Sequence, residues 1–176
     1  APSLFVPWKT HDWRGHLQAI AEFLDMSGEA EAWLRKYDRL AAAVREQVRG
    51  VVGRDSVLVV HLNRKGYNVY GRKTVAGVLY DDLGLSPAGR AAAIETSELV
   101  TLGQLAQFGA DRVLLMLTSG ADLSAEWEQL QRSEPWRQTT ALHAGQVTPI
   151  AYWPWFDYSA FSQEKFLAAV PSIFKG

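Results

Sequence analysis

At 176 residues, with 48% hydrophobic and 21% charged side chains, the chain is long enough to bury the core of one ordinary domain and too apolar to be disordered. A formal net charge of −1 argues against a nucleic-acid surface spread over the whole molecule, and the absence of cysteine excludes disulfides, thiolate metal sites and cysteine nucleophiles. No run reaches the ~20 consecutive apolar residues of a membrane span, and Ala1-Pro2-Ser3 opens no basic-then-apolar leader, so no signal peptide is expected.

Ser3 to Trp8 reads as a short extended segment. Trp13, Leu17, Ile20 and Leu24 then recur at helical spacing, with Asp12 placed to cap the start and Ser27-Gly28 to break the helix. A longer helix follows, with Ala30, Trp33, Leu34, Tyr37, Leu40, Ala41, Val44 and Val48 on one face and a charged opposite face, ending near Gly50. Val57 to Val60 is an unbroken apolar run, the pattern of a strand covered on both sides. The segment from Asn63 to Tyr67 reads as a polar loop, and Val75, Val78, Leu79 and Leu83 as a helix closed by Gly84 and Pro87. Ala93 to Thr96 is a weak strand candidate, and Leu102 to Ala106 a short helix stopped by Gly109. Val113 to Leu117 is the second clear buried strand, followed by a helix from Ser124 to Arg132 with Trp127 and Leu130 inward. Gly145-Gln146 turns into a last strand from Val147 to Ala151, then an aromatic loop from Tyr152 to Tyr158 and a final helix burying Phe166, Val170 and Phe174.

Strands alternating with helices predict an α/β fold, a three-layer α/β/α sandwich with a largely parallel sheet. No repeat, linker or low-complexity run interrupts it.

Catalytic motifs are missing. There is no G-x-x-x-x-G-K-S/T and no G-x-G-x-x-G to cradle phosphate, and Ser119 lacks the flanking glycines of a nucleophile elbow. His11, His16, His61 and His143 are scattered, and the five-residue step from His11 to His16 does not put both on one helix face as metal ligands. No catalytic residue and no metal ligand is therefore expected. In open α/β sheets ligands sit outside the carboxyl ends of the strands. The loops leaving those ends carry Arg64, Lys65 and Tyr67, with Arg72 and Lys73 a little downstream, then Ser119, and then Trp153, Trp155 and Tyr158. Basic groups beside aromatic faces suit an anionic, aromatic-rich small molecule. A basic loop is more often simply solvated, and an aromatic loop is as often a satellite hydrophobic cluster.

Several stretches resemble the iron–siderophore and cobalamin class of periplasmic binding proteins. Pro7-Trp8 through Trp13-Arg14-Gly15-His16-Leu17 to Leu24 is similar to the helical segment that bridges the two lobes in that class. Glu31-Ala32-Trp33-Leu34 with Tyr37 is similar to the helix after it. Gly109-Ala110-Asp111-Arg112-Val113, Trp136 through Ala141, Gly145-Gln146-Val147 and Trp155 resemble the later landmarks of the second lobe. Val69-Tyr70-Gly71-Arg72, Val78 to Leu83 and Tyr158-Ser159-Ala160 look like the binding-protein domains fused to AraC-type transcription regulators. The excess of arginine (12 Arg against 6 Lys, 18 in all) leans slightly the same way.

The resemblance implies a bridging segment over residues 1–27 and a C-terminal ligand-binding lobe over 28–176. It implies binding of a ferric siderophore, for a regulator in the cytoplasm or for an ABC importer outside it, and no enzyme activity. No cofactor is expected to be tightly bound, and iron enters only within the siderophore. The partners implied are an N-terminal lobe of the same protein, and either an ABC permease or a fused DNA-binding domain, with no direct nucleic-acid or membrane contact from this lobe. The ligand contacts implied are Arg64, Lys65, Tyr67, Arg72, Ser119, Trp153, Trp155 and Tyr158. Two other readings use the same strand-end edge: a small α/β enzyme built on Ser119 with His61 or His143, and a protein-interaction module docking through the aromatic loop.

Overall fold

A computed structural model describes residues 3–7, 11–63, 65–118, 123–137, 141, 144, 146–152, 155 and 157–175; of residues 123–126 and 135 it describes the backbone only. Helix α1 (Trp13–Phe23) starts as expected, with the Asp12 carboxylate accepting from the Gly15 N–H at 2.8 Å. The break after it falls slightly earlier than the sequence suggests. Asp25 takes a left-handed φ of 59°, while Ser27 and Gly28 already belong to helix α2 (Ser27–Val52). Along α2, Ala30, Tyr37, Ala41, Val44, Val48 and Val52 form the buried stripe. No described helix is long and apolar enough to cross a membrane.

Strand β1 (Ser56–Asn63) runs parallel to β5 (Arg112–Leu117), and β5 runs parallel to β6 (Val147–Ala151). The short β3 (Ser86–Pro87) pairs parallel with the start of β1. Beyond β1 the direction reverses: β2 (Gly66–Tyr70) is antiparallel to β1, and β4 (Ser97–Val100) is antiparallel to β2. The order β4-β2-β1-β5-β6 thus makes a mixed sheet whose parallel part holds four strands, with an antiparallel flank. The flank is what the sequence hid. Asn63 to Tyr67 was expected as a loop, yet Tyr67 pairs with Leu62 and Gly66 with Asn63 in a tight hairpin. The weak strand expected at Ala93 to Thr96 is displaced onto β4, because Gly89–Ala93 coils into a 3-10 turn first.

Both faces of the sheet are covered, which is why β1 and β5 read as unbroken apolar runs. Val57, Val59, Leu114 and Met116 face one layer made by α1, α2 and the last helix, α6 (Ala160–Lys175). Leu58, Val60, Val113, Leu115 and Leu117 face the other. That second layer holds the 3-10 turn, α3 (Leu102–Ala106), α4 (Leu123–Arg132) and α5 (Glu134–Arg137), with Trp136 fully buried at its centre.

The helix expected over Val75 to Leu83 is a single π-type turn, Val78–Asp82, closed by the Leu83 N–H on the Val78 carbonyl at 2.9 Å. The widened turn holds Asp82 against α1 and α2. Its carboxylate takes Arg14 at 3.0 Å and the Tyr37 hydroxyl at 2.6 Å, and its carbonyl takes Arg45 at 3.2 Å. Arg14 also pairs with Asp38 at 3.0 Å and lies over the Trp13 and Tyr37 rings. Burial, with Asp82 beside it, pushes the Tyr37 phenol far up and keeps it a hydrogen-bond donor. One acidic residue in a local distortion therefore ties three elements together.

Candidate functional site

The parallel strands β1, β5 and β6 end at one edge, and there the α1/α2/α6 face opens into a recess of about 120 Å³. One wall is Tyr70 at the end of β2 with Lys73, Thr74 and Val75 just after it. The other is the connection from β6 to α6, with Tyr152, Trp155, Asp157 and Tyr158. Trp155 is fixed edge-on to Phe166 of α6, with ring centroids 5.4 Å apart. Asp157 caps the approach to α6, accepting from the Ser159 backbone at 3.1 Å and from its hydroxyl at 2.5 Å. Tyr158 is half-buried, and burial is the main cause that pushes its phenol up to about 12. Tyr158 also walls a larger, mostly apolar groove of about 420 Å³ between α1 and the start of α6, beside Trp13, Leu17 and Phe161.

Against two of the lining residues, Tyr70 and Tyr152, packs a polar group. His61, 7% exposed, stacks on Tyr152 with centroids 3.9 Å apart and planes 8° from parallel. Its Nε2 lies 2.8 Å from Thr118 Oγ1 and its Nδ1 3.4 Å from the Tyr70 hydroxyl. Burial pushes the His61 imidazole below its ordinary value and the Tyr70 phenol above its own.

Two glycines let the Lys73 wall sit where it does. A Cβ on Gly71 would overlap the Ile94 carbonyl oxygen, and one on Gly77 would overlap the Arg72 carbonyl oxygen. The Gly71 N–H donates to the Thr96 carbonyl at 2.7 Å and the Lys73 N–H to the Glu95 carbonyl at 2.6 Å, so residues 71–73 are laced to the segment before β4.

The structure brings together only part of the set expected from sequence. Trp155 and Tyr158 line the recess. Lys65 stands exposed at the hairpin turn, its backbone N–H on Asn63 at 2.7 Å. Arg72 is ion-paired with Asp81, and Lys73 with Glu95 at 2.9 Å, so both cations already have carboxylate partners. Tyr67 is a correction. It is buried on the opposite face of the sheet, where its hydroxyl accepts from the Trp136 indole at 2.8 Å. The reason is strand periodicity: Tyr67 and Tyr70 lie three apart on β2, so they must face opposite ways. Arg64, Ser119, Trp153 and His143 lie outside the described residues. Tyr70 is the recess residue that sequence reasoning did not name, and His61 entered only in the enzyme reading with Ser119; the alternation in Gly66-Tyr67-Asn68-Val69-Tyr70 was the available signal for Tyr70. Among the described residues no group of three or more His, Asp or Glu is gathered to hold a metal ion.

Residues 3–151 match the family described as periplasmic binding protein. The chain belongs to the periplasmic binding protein family. Among curated relatives, the HTH-type transcriptional activator Btr of Bacillus subtilis is 28% identical over 176 residues, all of this chain and 33% of the activator. The iron(3+)-hydroxamate-binding protein FhuD of the same organism is 27% identical over 158 residues, 84% of this chain and 48% of that protein. The chain thus spans less than half the length of either. Among solved structures, FhuD2 from Staphylococcus aureus with bound ferrioxamine B superposes with a TM-score of 0.83 at 15% identity, covering 99% of this chain and 68% of that one. At that identity the likeness shows the fold, which is the α/β lobe expected from the sequence. The named relatives are a binding protein and a transcription activator, not enzymes.

Proposed function

We propose that the strand-end recess is one half of a ferric-siderophore site, and that the chain is the second lobe of a two-lobed binding protein, with residues 1–27 bridging to the first. The observation that carries this reading is the aromatic wall of Tyr70, Tyr152, Trp155 and Tyr158, with Lys73 beside it, at the carboxyl ends of parallel strands. At about 120 Å³ the recess is well below the ~300–1,000 Å³ of a complete small-molecule pocket, which suits a half-site whose other wall comes from elsewhere. The printed ligands of two relatives, a ferric hydroxamate and ferrioxamine B, support the ligand class. To the described residues we add Arg64, Lys65, Ser119 and Trp153, which the sequence puts in the loops at the same edge.

The match to the transcriptional activator runs over the whole chain, and that favours a sensing lobe inside a regulator. Delivery to an ABC importer is the second reading, supported by the hydroxamate-binding relative. In either setting the lobe binds its ligand without turning it over, and iron is cargo held by the siderophore.

The test uses the full-length protein with both lobes. Tryptophan fluorescence is titrated with ferrioxamine B, a ferrichrome-type complex and a ferric catecholate, for wild type, Trp155→Ala and Lys73→Ala. Loss of a stacking face or of one charge-assisted contact weakens the preferred complex about tenfold or more. Equal affinity in all three proteins places the ligand elsewhere and sinks the reading. A regulator is recognised by siderophore-dependent retardation of a DNA fragment upstream of its own gene.

A further inference from the structure

Charge at the strand-end recess does not run the way the basic loops of the sequence suggest. Among the described residues, two of those lining it are charged, Lys73 on one wall and Asp157 on the other. Lys73 donates to Glu95 at 2.9 Å, so its positive charge is matched by a carboxylate. Arg72 beside it is matched by Asp81 in the same way. Asp157 is held differently. Its Oδ1 accepts from the Ser159 N–H at 3.1 Å and from the Ser159 hydroxyl at 2.5 Å. Neither donor carries a formal charge, and among the described residues no lysine or arginine pairs with Asp157.

The carboxylate is fixed in place as well as charged. The Ser159 oxygen accepts from the Ser162 N–H at 3.2 Å, which leaves the hydroxyl proton for Asp157. Hydrogen bonds from Ser159 come first among the causes that hold the Asp157 carboxyl below the ordinary carboxylate range, so it stays ionised at neutral pH. The N-terminal end of α6, worth roughly half a positive charge, offsets only part of it. The recess is thus left net negative, and the negative group stands beside the rings of Tyr70, Trp155 and Tyr158. Burial keeps both of those phenols neutral. A carboxylate among aromatic rings is a setting for a cation, because the ring faces and the carboxylate attract the same charge.

We propose that Asp157 is a specificity residue of this recess: with Trp155 and Tyr158 it takes the ammonium group of a cationic ferric siderophore, and so selects such complexes over neutral or anionic ones. This inference rests on the siderophore reading of the recess and adds to it the charge of the ligand. The volume agrees. About 120 Å³ admits an alkylammonium arm and leaves most of a metal complex to the other half of the site. Lys73, on the facing wall, has three N–H donors, so it can reach an iron-bound oxygen while still bonded to Glu95. With its charge already matched, it draws no anion from solution. The anionic ligand that the basic loops suggest is therefore the one this recess disfavours.

The test compares two complexes that differ only in that charge. Ferrioxamine B carries a free primary ammonium on an uncharged ferric trishydroxamate, and its N-acetyl derivative has an amide there instead. Both are titrated into the full-length protein, as wild type, Asp157→Asn and Asp157→Glu. Wild type should hold the ammonium form about fivefold to tenfold more tightly, a preference that shrinks as salt rises. Asp157→Asn keeps an oxygen to accept from Ser159 and loses the charge, so the two complexes should bind alike, with the N-acetyl form held as in wild type. Asp157→Glu should keep the preference.

Equal binding of the two complexes by wild type overturns the proposal and leaves the siderophore reading standing. A preference that survives in Asp157→Asn overturns it too. So does an equal loss of both complexes in Asp157→Asn, because that is what a residue serving only to start α6 would give. If neither complex nor a ferric catecholate binds wild type, the siderophore reading fails and the charge assignment falls with it.

Discussion

Tyr67 and Tyr70 share strand β2 and are three residues apart, yet they live in different chemistries. Tyr67 faces α5, where its phenol is closed off against Trp136, with Trp127 edge-on behind. Tyr70 faces the recess, where its phenol belongs to a line of groups that ends at a cavity. The two faces of one strand thus separate a cluster whose hydrogen bonds serve packing from one that borders an opening. The difference is one of completion. On the Trp136 side the aromatic contacts close on themselves in the core, whereas on the Tyr152 side they stop at an opening.

The sharpest way to break this comparison is to hollow out the closed side. Trp136→Ala removes a fully buried indole and should cost about 3–5 kcal/mol in urea unfolding. A cost near that of a surface substitution would show the two clusters to be alike. Tyr67→Phe is milder. It deletes the acceptor of the Trp136 indole N–H inside the core and should cost about 1–2 kcal/mol, with ligand affinity unchanged. Tyr70→Phe should do the reverse, with unfolding shifted by less than ~0.5 kcal/mol and siderophore affinity lowered about tenfold. Calorimetry and fluorescence titration on the same two variants check the crossing pattern. If Tyr67→Phe loses affinity as well, the faces are coupled through β2.

The smallest effect is on acid stability. Burial sets the folded His61 imidazole below its unfolded value, so as pH falls the unfolded chain takes up a proton before the folded one does. The stability due to neutral His61 is complete above about pH 6.5 and drains below it until the folded ring protonates as well. Urea midpoints measured down through this window should fall for wild type and fall less for His61→Gln.

The parallel core of the fold was legible because burial on both faces writes an unbroken apolar run, as in Val57 to Val60 and Val113 to Leu117. Helices α1 and α2 were legible for the opposite reason, since one wet face leaves a 3.6-residue rhythm. The hairpin was not. Its turn residues are polar and its partner β4 is short, so Asn63 to Tyr67 looked like loop until the pairing with β1 supplied the register. The π-type turn was equally hidden, because Asp82 is held by Arg14, Tyr37 and Arg45 from elements far back in the chain. At the site, local sequence named Trp155 and Tyr158, which the fold brings to one recess. It misassigned Tyr67 and missed Tyr70, because choosing between them needs the strand's phase. His61 looked bland since everything that touches its ring, Tyr70, Thr118 and Tyr152, arrives through tertiary structure.

Gly71 and Gly77 set the terms on which this site can be remodelled. Each has a neighbouring carbonyl where a side chain would begin, so the segment between them is clamped at both ends while Lys73 and Thr74 look into the recess. That leaves positions 73 and 74 to vary on a fixed frame, since Val75 and Ala76 beside them are buried in the core. Laboratory evolution toward a new ligand should therefore accumulate changes at positions 73 and 74, and lose expression whenever either glycine is replaced. Duplicated copies of such a gene could diverge in what they recognise by rewriting only a few codons, with the sheet beneath left as it is.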